Sequence, residues 1–175
     1  MRSLIVAFPA ILCLCCISCK QSPEQKLLGR WQEAAIINPQ LDATMHDQGV
    51  FADTVGATTD STQNQMLYGT DNIDTFRART KANLDSFRKE QARAIAATIF
   101  DFQKDGLVFI HSTDGIDSAK WYIDEDGALL LDEEKLKGSG GKIRMEVLEA
   151  SDTLLKLRYN EKYLSSTILF KPVKK

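Results

Sequence analysis

From Thr98 onward, apolar and polar positions alternate in short runs separated by Gly, Asp and Ser. TIFDFQ (98–103), LVFIHS (107–112), SAKWYID (118–124), ALLLDE (128–133), KIRMEVLE (142–149), TLLKLRYN (153–160) and STILFKPV (166–173) each put alternate side chains on one face. That is the period of a strand with one face buried. KDG, TDGID, EDG and KLKGSGG, then ASD and EKYLS, supply turns between them, and the 8–12-residue spacing predicts an antiparallel meander. The expected inward sets are Phe100 and Phe102, Trp121 and Ile123, Ile143, Met145 and Val147, Leu155, Leu157 and Tyr159, and Ile168 and Phe170. KLLGRWQEAAII (26–37) predicts one further strand at the start, ended by Asn38 and Pro39. Eight strands is the number at which a sheet closes into a barrel that fills with side chains or holds one small ligand.

Between the first strand and the meander the pattern changes twice. Residues 40–69 are rich in Asp, Thr, Gln and Asn, with Leu41, Met45, Val50, Phe51, Met66, Leu67 and Tyr68 scattered at no clear period. They are expected to form a long loop packed by those few apolar residues. From Thr70 the spacing becomes helical, with Ile73, Phe76, Thr80, Leu84, Phe87, Gln91 and Ile95 on one face. One amphipathic helix of about 25 residues is predicted, capped by Thr70 or Asp71, with Asp74 in its first turn. Its outer face carries Arg77, Arg79, Lys81, Arg88, Lys89 and Arg93 against Asp85 and Glu90. It reads as a solvated face, with Asp85 and Lys89 spaced as a supporting pair.

The N-terminus has a different character: Arg2, an uncharged apolar run from Leu4 to Ile17, then polar SCKQSPEQ. This is the layout of a secretory signal peptide. The run of about 14 residues is short of the ~20 that a membrane-spanning helix needs. All four cysteines (13, 15, 16 and 19) lie here, so no disulfide framework is expected in the rest of the chain. CISC (16–19) resembles the lipobox of bacterial lipoproteins, with Ile17 and Ser18 before Cys19 and a departure at Cys16, where that motif has an aliphatic residue. The resemblance implies cleavage after residue 18 and lipidation of Cys19, hence a membrane held through a lipid anchor. Lys20 in place of Asp implies the outer membrane of a Gram-negative envelope. Residues 19–26 are then the lipidated anchor and a polar tether. Removing the first 18 of 175 residues leaves 157, one domain's worth. Without Arg2 the chain carries 21 Lys and Arg against 24 Asp and Glu, a net charge of −3, which calls for no nucleic-acid partner.

LLGRWQ (27–32), followed by the meander, resembles the Gly-x-Trp opening of lipocalins, and the chain is similar to bacterial lipocalin-like lipoproteins. The resemblance covers residues 27–37 and 98–172. It implies a mainly β fold: an eight-stranded antiparallel up-and-down barrel over residues 27–175, interrupted at 38–97 by a loop and one amphipathic helix after the first strand. Gly29 would start the strand tightly and Trp31 would close the barrel base. An Arg of the last strand packs over that Trp in the family; here Lys171 and Arg158 are the available cations.

Catalytic signatures are absent from the sequence. His46 and His111 are 65 residues apart, no Gly-x-Ser-x-Gly elbow occurs, and GSGG (138–141) precedes a strand where a phosphate cradle would precede a helix. The acidic runs 124–126 and 132–134 lack EF-hand spacing. No enzyme, metal or cofactor is expected, and the sequence points to no particular protein partner. Two readings stay open. A small apolar or amphipathic ligand could bind among Phe100, Phe102, Trp121, Met145, Leu157 and Tyr159, under a lid formed by the helix or residues 40–69. Alternatively those side chains fill the barrel, and the protein works through its surface as a structural or interaction lipoprotein.

Overall fold

The computed structural model describes residues 22–162 and 164–174. Eight antiparallel strands close into a barrel in sequence order: β1 (Gly29–Ile37), β2 (Ile99–Phe102), β3 (Leu107–Ser112), β4 (Gly115–Ile123), β5 (Leu129–Asp132), β6 (Lys142–Ala150), β7 (Leu155–Glu161) and β8 (Leu164–Pro172). β1 pairs with both β2 and β8, so the sheet has no free edge. The runs 113–117 and 161–165 are tighter than expected: β4 starts at Gly115, and β7 and β8 extend to Glu161 and from Leu164.

Register decides which residues face inward. Trp31 opposes Phe100 on one side and Pro172 on the other, Leu129 opposes Met145, Met145 opposes Tyr159, and Leu155 opposes Phe170. Paired residues share a face, so the predicted inward sets converge. Phe102, Phe170, Leu129, Leu155, Leu157 and Val108 are fully buried, each contributing about 1.5–3 kcal/mol of apolar burial. Ile143 shares that face but sits at the end of β6, where it is 39% exposed.

The lower end of the barrel is plugged. The expected tether instead forms a short helix, α1 (Pro23–Leu27), in which Pro23 occupies the first turn, where its missing N–H is harmless. Ser22 and Gln25 complete a reciprocal capping box. Leu27 is wholly buried in the core. The chain then enters β1 through Gly29 at φ +113°, a conformation that an L side chain rarely adopts.

The insertion leaves and re-enters at the opposite end and holds three helices where one was predicted: α2 (Pro39–Thr54), α3 (Ser61–Tyr68) and α4 (Ile73–Ala97). Asn38 and Pro39 do end β1, but they do so by starting α2. The Asn38 side chain accepts from the Leu41 N–H, and Pro39 sits in the first turn. Asp60 and Gln63 form a capping box on α3, and Gly69 closes it at φ +67°. The expected loop is therefore largely helical. Its apolar residues are spread around the helices, and Met66 and Leu67 stay exposed. α4 has the predicted length, but its cap is Asn72, which accepts from the Thr75 N–H.

Phe51, Tyr68 and Phe76 pack as a second, smaller aromatic cluster with ring centroids 5.7–6.4 Å apart. Arg77 Nε donates to the Val55 carbonyl at 2.8 Å, and Lys81 pairs with Asp53 at 2.5 Å. Asp85 takes Arg88 at 3.2 Å as its partner, where Lys89 was expected. Among the described residues no helix is long and apolar enough to cross a membrane.

Candidate functional site

Of the six residues predicted to line a ligand pocket, Phe100, Phe102, Trp121, Met145 and Leu157 belong to one buried cluster, and Tyr159 packs against its edge. Phe100 lies 5.9 Å from Phe102 and 5.1 Å from Phe170 between ring centroids, and Phe102 meets Trp121 edge-on at 5.3 Å. The middle of the barrel is thus occupied by their rings.

Gly29 and Trp31 stand at the base. Trp31 is 4% exposed, and its Nε1 donates to the Leu27 carbonyl at 2.8 Å, so the indole ties the α1 plug to the first strand. Lys171 opposes Gln32, and Arg158 pairs with Glu146 at 3.2 Å. Both cations therefore lie on the outer face, away from the Trp31 ring. Cys19 lies outside the described residues.

Free space adjoins the barrel at both of its ends. At the base a wide groove of about 710 Å³ runs over Leu28, Arg30, Asp101, Lys104, Asp105 and Lys174. Its charges are mixed, and Arg30 approaches Asp101 at 3.9 Å. At the helix-covered end is a cavity of about 270 Å³, lined by Glu33, Ile36 and Asn38 of the first strand and its exit, Leu41 and Asp42 of α2, and Gln91, Ala94, Ile95 and Thr98 of α4 and its end. This cavity opens on the inner face of the barrel: Glu33 opposes Phe170, and Ile36 opposes Ile168, across a β-bulge between Glu33 and Ala35. Asn38 Nδ2 donates to Ser166 Oγ at 3.0 Å and closes one side.

Glu33 is the unusual group. It lies two residues beyond Trp31 on the inner side of a strand and is 7% exposed, and its Oε1 is buried with no hydrogen-bond partner among the described residues. Burial pushes its carboxyl up to about 7, partly offset by the Thr98 hydroxyl. The sequence carried the signal, since a carboxylate at i+2 from an inward Trp faces inward by the two-residue period. The conspicuous aromatics of the meander drew the pocket assignment deeper into the barrel. The cavity wall contributed by α2 could not be foreseen while residues 40–69 were expected to be a loop.

The other candidate chemistry is dispersed. His46 is exposed on α2, and His111 is on the outer face of β3, opposite Ile99 and Ile116. Asp124 accepts backbone N–H groups from Asp126 and Ala128 and pairs with Arg144 at 3.0 Å, as a turn-forming side chain does. Among the described residues no group of three or more His, Cys, Asp or Glu is arranged to hold a metal ion.

No family model matches the chain, and no curated protein matches it. Among solved structures the chain is similar to a DUF4847 family protein from Bacteroides vulgatus, at 11% identity and a TM-score of 0.44, over 84% of this chain and 94% of that one.

Proposed function

We propose that this protein is a lipid-anchored component of a bacterial envelope that binds a small amphipathic ligand at the helix-covered mouth of its barrel and performs no chemistry on it. The observation that carries this reading is the cavity between β1 and helices α2 and α4, which joins apolar walls from Ile36, Leu41, Ala94 and Ile95 to a buried carboxylate with one oxygen, Glu33 Oε1, unpartnered among the described residues. Small-molecule sites have that composition: mostly apolar, with a few placed polar groups. A volume of 270 Å³ equals about nine waters at ~30 Å³ each, which suits a ligand of roughly ten heavy atoms or fewer.

The anchor fits the same arrangement. With Cys19 lipidated, three residue steps separate it from Ser22 at the head of α1, a reach of about 11 Å at most. The plugged base then lies beside the bilayer and the mouth points away from it. Lys20 following the cysteine supports outer-membrane sorting.

The test is native mass spectrometry of the protein released without detergent exchange from its own envelope, compared with its denatured mass. A defined extra mass lost on denaturation is the expected result. A bare protein mass would favour the second reading, a barrel filled by its own aromatics that serves as a structural or interaction lipoprotein; the packing of Phe100, Phe102, Phe170 and Trp121 supports that one.

A further inference from the structure

We infer that the mouth cavity selects a small cation, a primary aliphatic amine whose ammonium group donates to Glu33 Oε1 while its alkyl chain lies against Ile36, Leu41 and Ile95. This rests on the ligand-binding reading above and adds the chemical class of the ligand.

Three observations point the same way. First, Glu33 is more than nine-tenths buried, and its Oε1 lacks a partner where the cavity begins. A buried carboxylate oxygen left unpaired is costly, and a donor arriving with a positive charge removes that cost most completely. Second, the described residues lining the cavity include two carboxylates, Glu33 and Asp42, and no Lys or Arg. An anionic ligand would meet like charge there, and a neutral one would leave the imbalance uncorrected.

Third, the helix ends are set for a cation. The cavity is bordered by Ala94, Ile95 and Thr98 at the C-terminal end of α4, where the helix dipole is negative. α2 turns its positive N-terminus to the same space, but that end is already complemented. The Leu41 N–H is held by Asn38 Oδ1, and Asp42 stands in the first turn.

The groups around Glu33 that could compete are few. Gln32 is on the opposite face of β1, with its amide committed to the carbonyls of Ala96 and Thr98. The Thr98 hydroxyl donates to the Ala94 carbonyl at 2.9 Å. That hydroxyl also bears on the Glu33 carboxyl but has a single proton to share, and Glu33 Oε1 stays without a partner among the described residues, open to an incoming donor.

The experiment uses the mature, anchored chain with glutamate carboxyls labelled with carbon-13, titrated with n-butylammonium and, separately, with n-butanol. Glu33→Gln assigns the Glu33 resonance by its loss. Butylammonium is expected to shift that resonance saturably and to lower its titration midpoint by about one unit or more, a tenfold preference for the ionised form. Butanol should bind at least tenfold more weakly. Glu33→Gln should cut butylammonium binding tenfold or more, measured by chemical-shift changes at Ile methyl groups, at a melting temperature no lower than that of the wild type. Equal binding of amine and alcohol, indifferent to Glu33→Gln, would overturn the cationic selectivity and leave the ligand site standing. Failure of both probes to perturb Glu33 or Ile36, with Ala94→Leu likewise without effect on native ligand mass, would overturn the mouth site itself.

Discussion

Trp31 Nε1 and the Leu27 carbonyl are 2.8 Å apart, and that bond joins the first strand of the barrel to the helix that plugs it. Because Leu27 is wholly buried and Trp31 nearly so, the bond is made where water cannot replace it. The indole thus does two jobs, filling the base with its ring and satisfying a carbonyl that α1 leaves open at its C-terminal end.

The two jobs can be separated by substitution. Trp31→Ala should destabilise by about 3–5 kcal/mol, as truncation of a buried aromatic does. Trp31→Phe keeps most of the apolar volume but orphans the Leu27 carbonyl, and about 1–3 kcal/mol is expected. Urea unfolding followed by Trp121 fluorescence would read both. An unchanged midpoint for Trp31→Ala would remove Trp31 from the core.

Gln32 supports the other end. Its amide donates to the carbonyls of Ala96 at 3.0 Å and Thr98 at 2.9 Å, with Ile95 at 3.3 Å, and so caps the C-terminal turn of α4 from the outer face of β1. Gln32→Leu should cost about 1 kcal/mol and a melting temperature about 2–4 °C lower. Hydrogen exchange should accelerate at the Thr98 amide, which bonds to Ala94 and Ile95 across that turn. Unaltered Thr98 exchange would show that the turn is held without Gln32.

The barrel was legible because strands with one buried face obey a two-residue period, which most of the eight carry; β5 is the exception, with all four of its residues buried. Trp31, Met145 and Leu157 alternate with polar neighbours, and the register brings them together with Phe100, Trp121 and Phe170. The helical insertion was half legible. α4 carries Phe76, Leu84 and Ile95 on one face at helical spacing, with Thr80 and Gln91 between them. By contrast, α2 buries little beyond Ala52, so its apolar positions follow no helical face. Its caps are in plain view all the same: Asn38-Pro39 is a start as well as a stop, and Asp60 with Gln63 is a capping box. The candidate site eluded the sequence for a related reason. It needs α2 for one wall, and its key group, Glu33, is the one carboxylate in a strand otherwise dominated by Trp31.

The proposed anchor makes a prediction independent of the barrel. On the proposal that lipid chains on Cys19 supply the attachment, at about 0.8 kcal/mol per buried methylene, Cys19→Ala should leave a non-acylated protein that fractionates away from membranes. The folded barrel should be unaffected, with the same melting temperature as the lipidated form. Persistent membrane partitioning of Cys19→Ala would refute the lipid anchor.

Glu33 should make stability fall as pH rises through neutrality. Its folded value of about 7 stands above the 4.5 of an ordinary glutamate, so the folded state binds the proton more tightly than the unfolded state does. The stabilisation is complete below about 4.5 and is lost as pH passes through 7. A shift of that size corresponds to at most about 3 kcal/mol between pH 4.5 and 8, at ~1.36 kcal/mol per unit. Asp124 and Asp132 are shifted down, chiefly by backbone N–H groups of Ala128 and Lys135, so their contributions are lost only in acid, below the usual carboxylate range. Asp42 shares the cavity with Glu33 but is exposed. The window from pH 5 to 8 therefore belongs mainly to Glu33. Glu33→Gln mimics the protonated side chain, so it should match the wild type at about pH 4 and exceed it at about pH 8, a difference measurable by urea unfolding across the series. Parallel stability profiles for the two proteins would mean that Glu33 ionises normally in the fold.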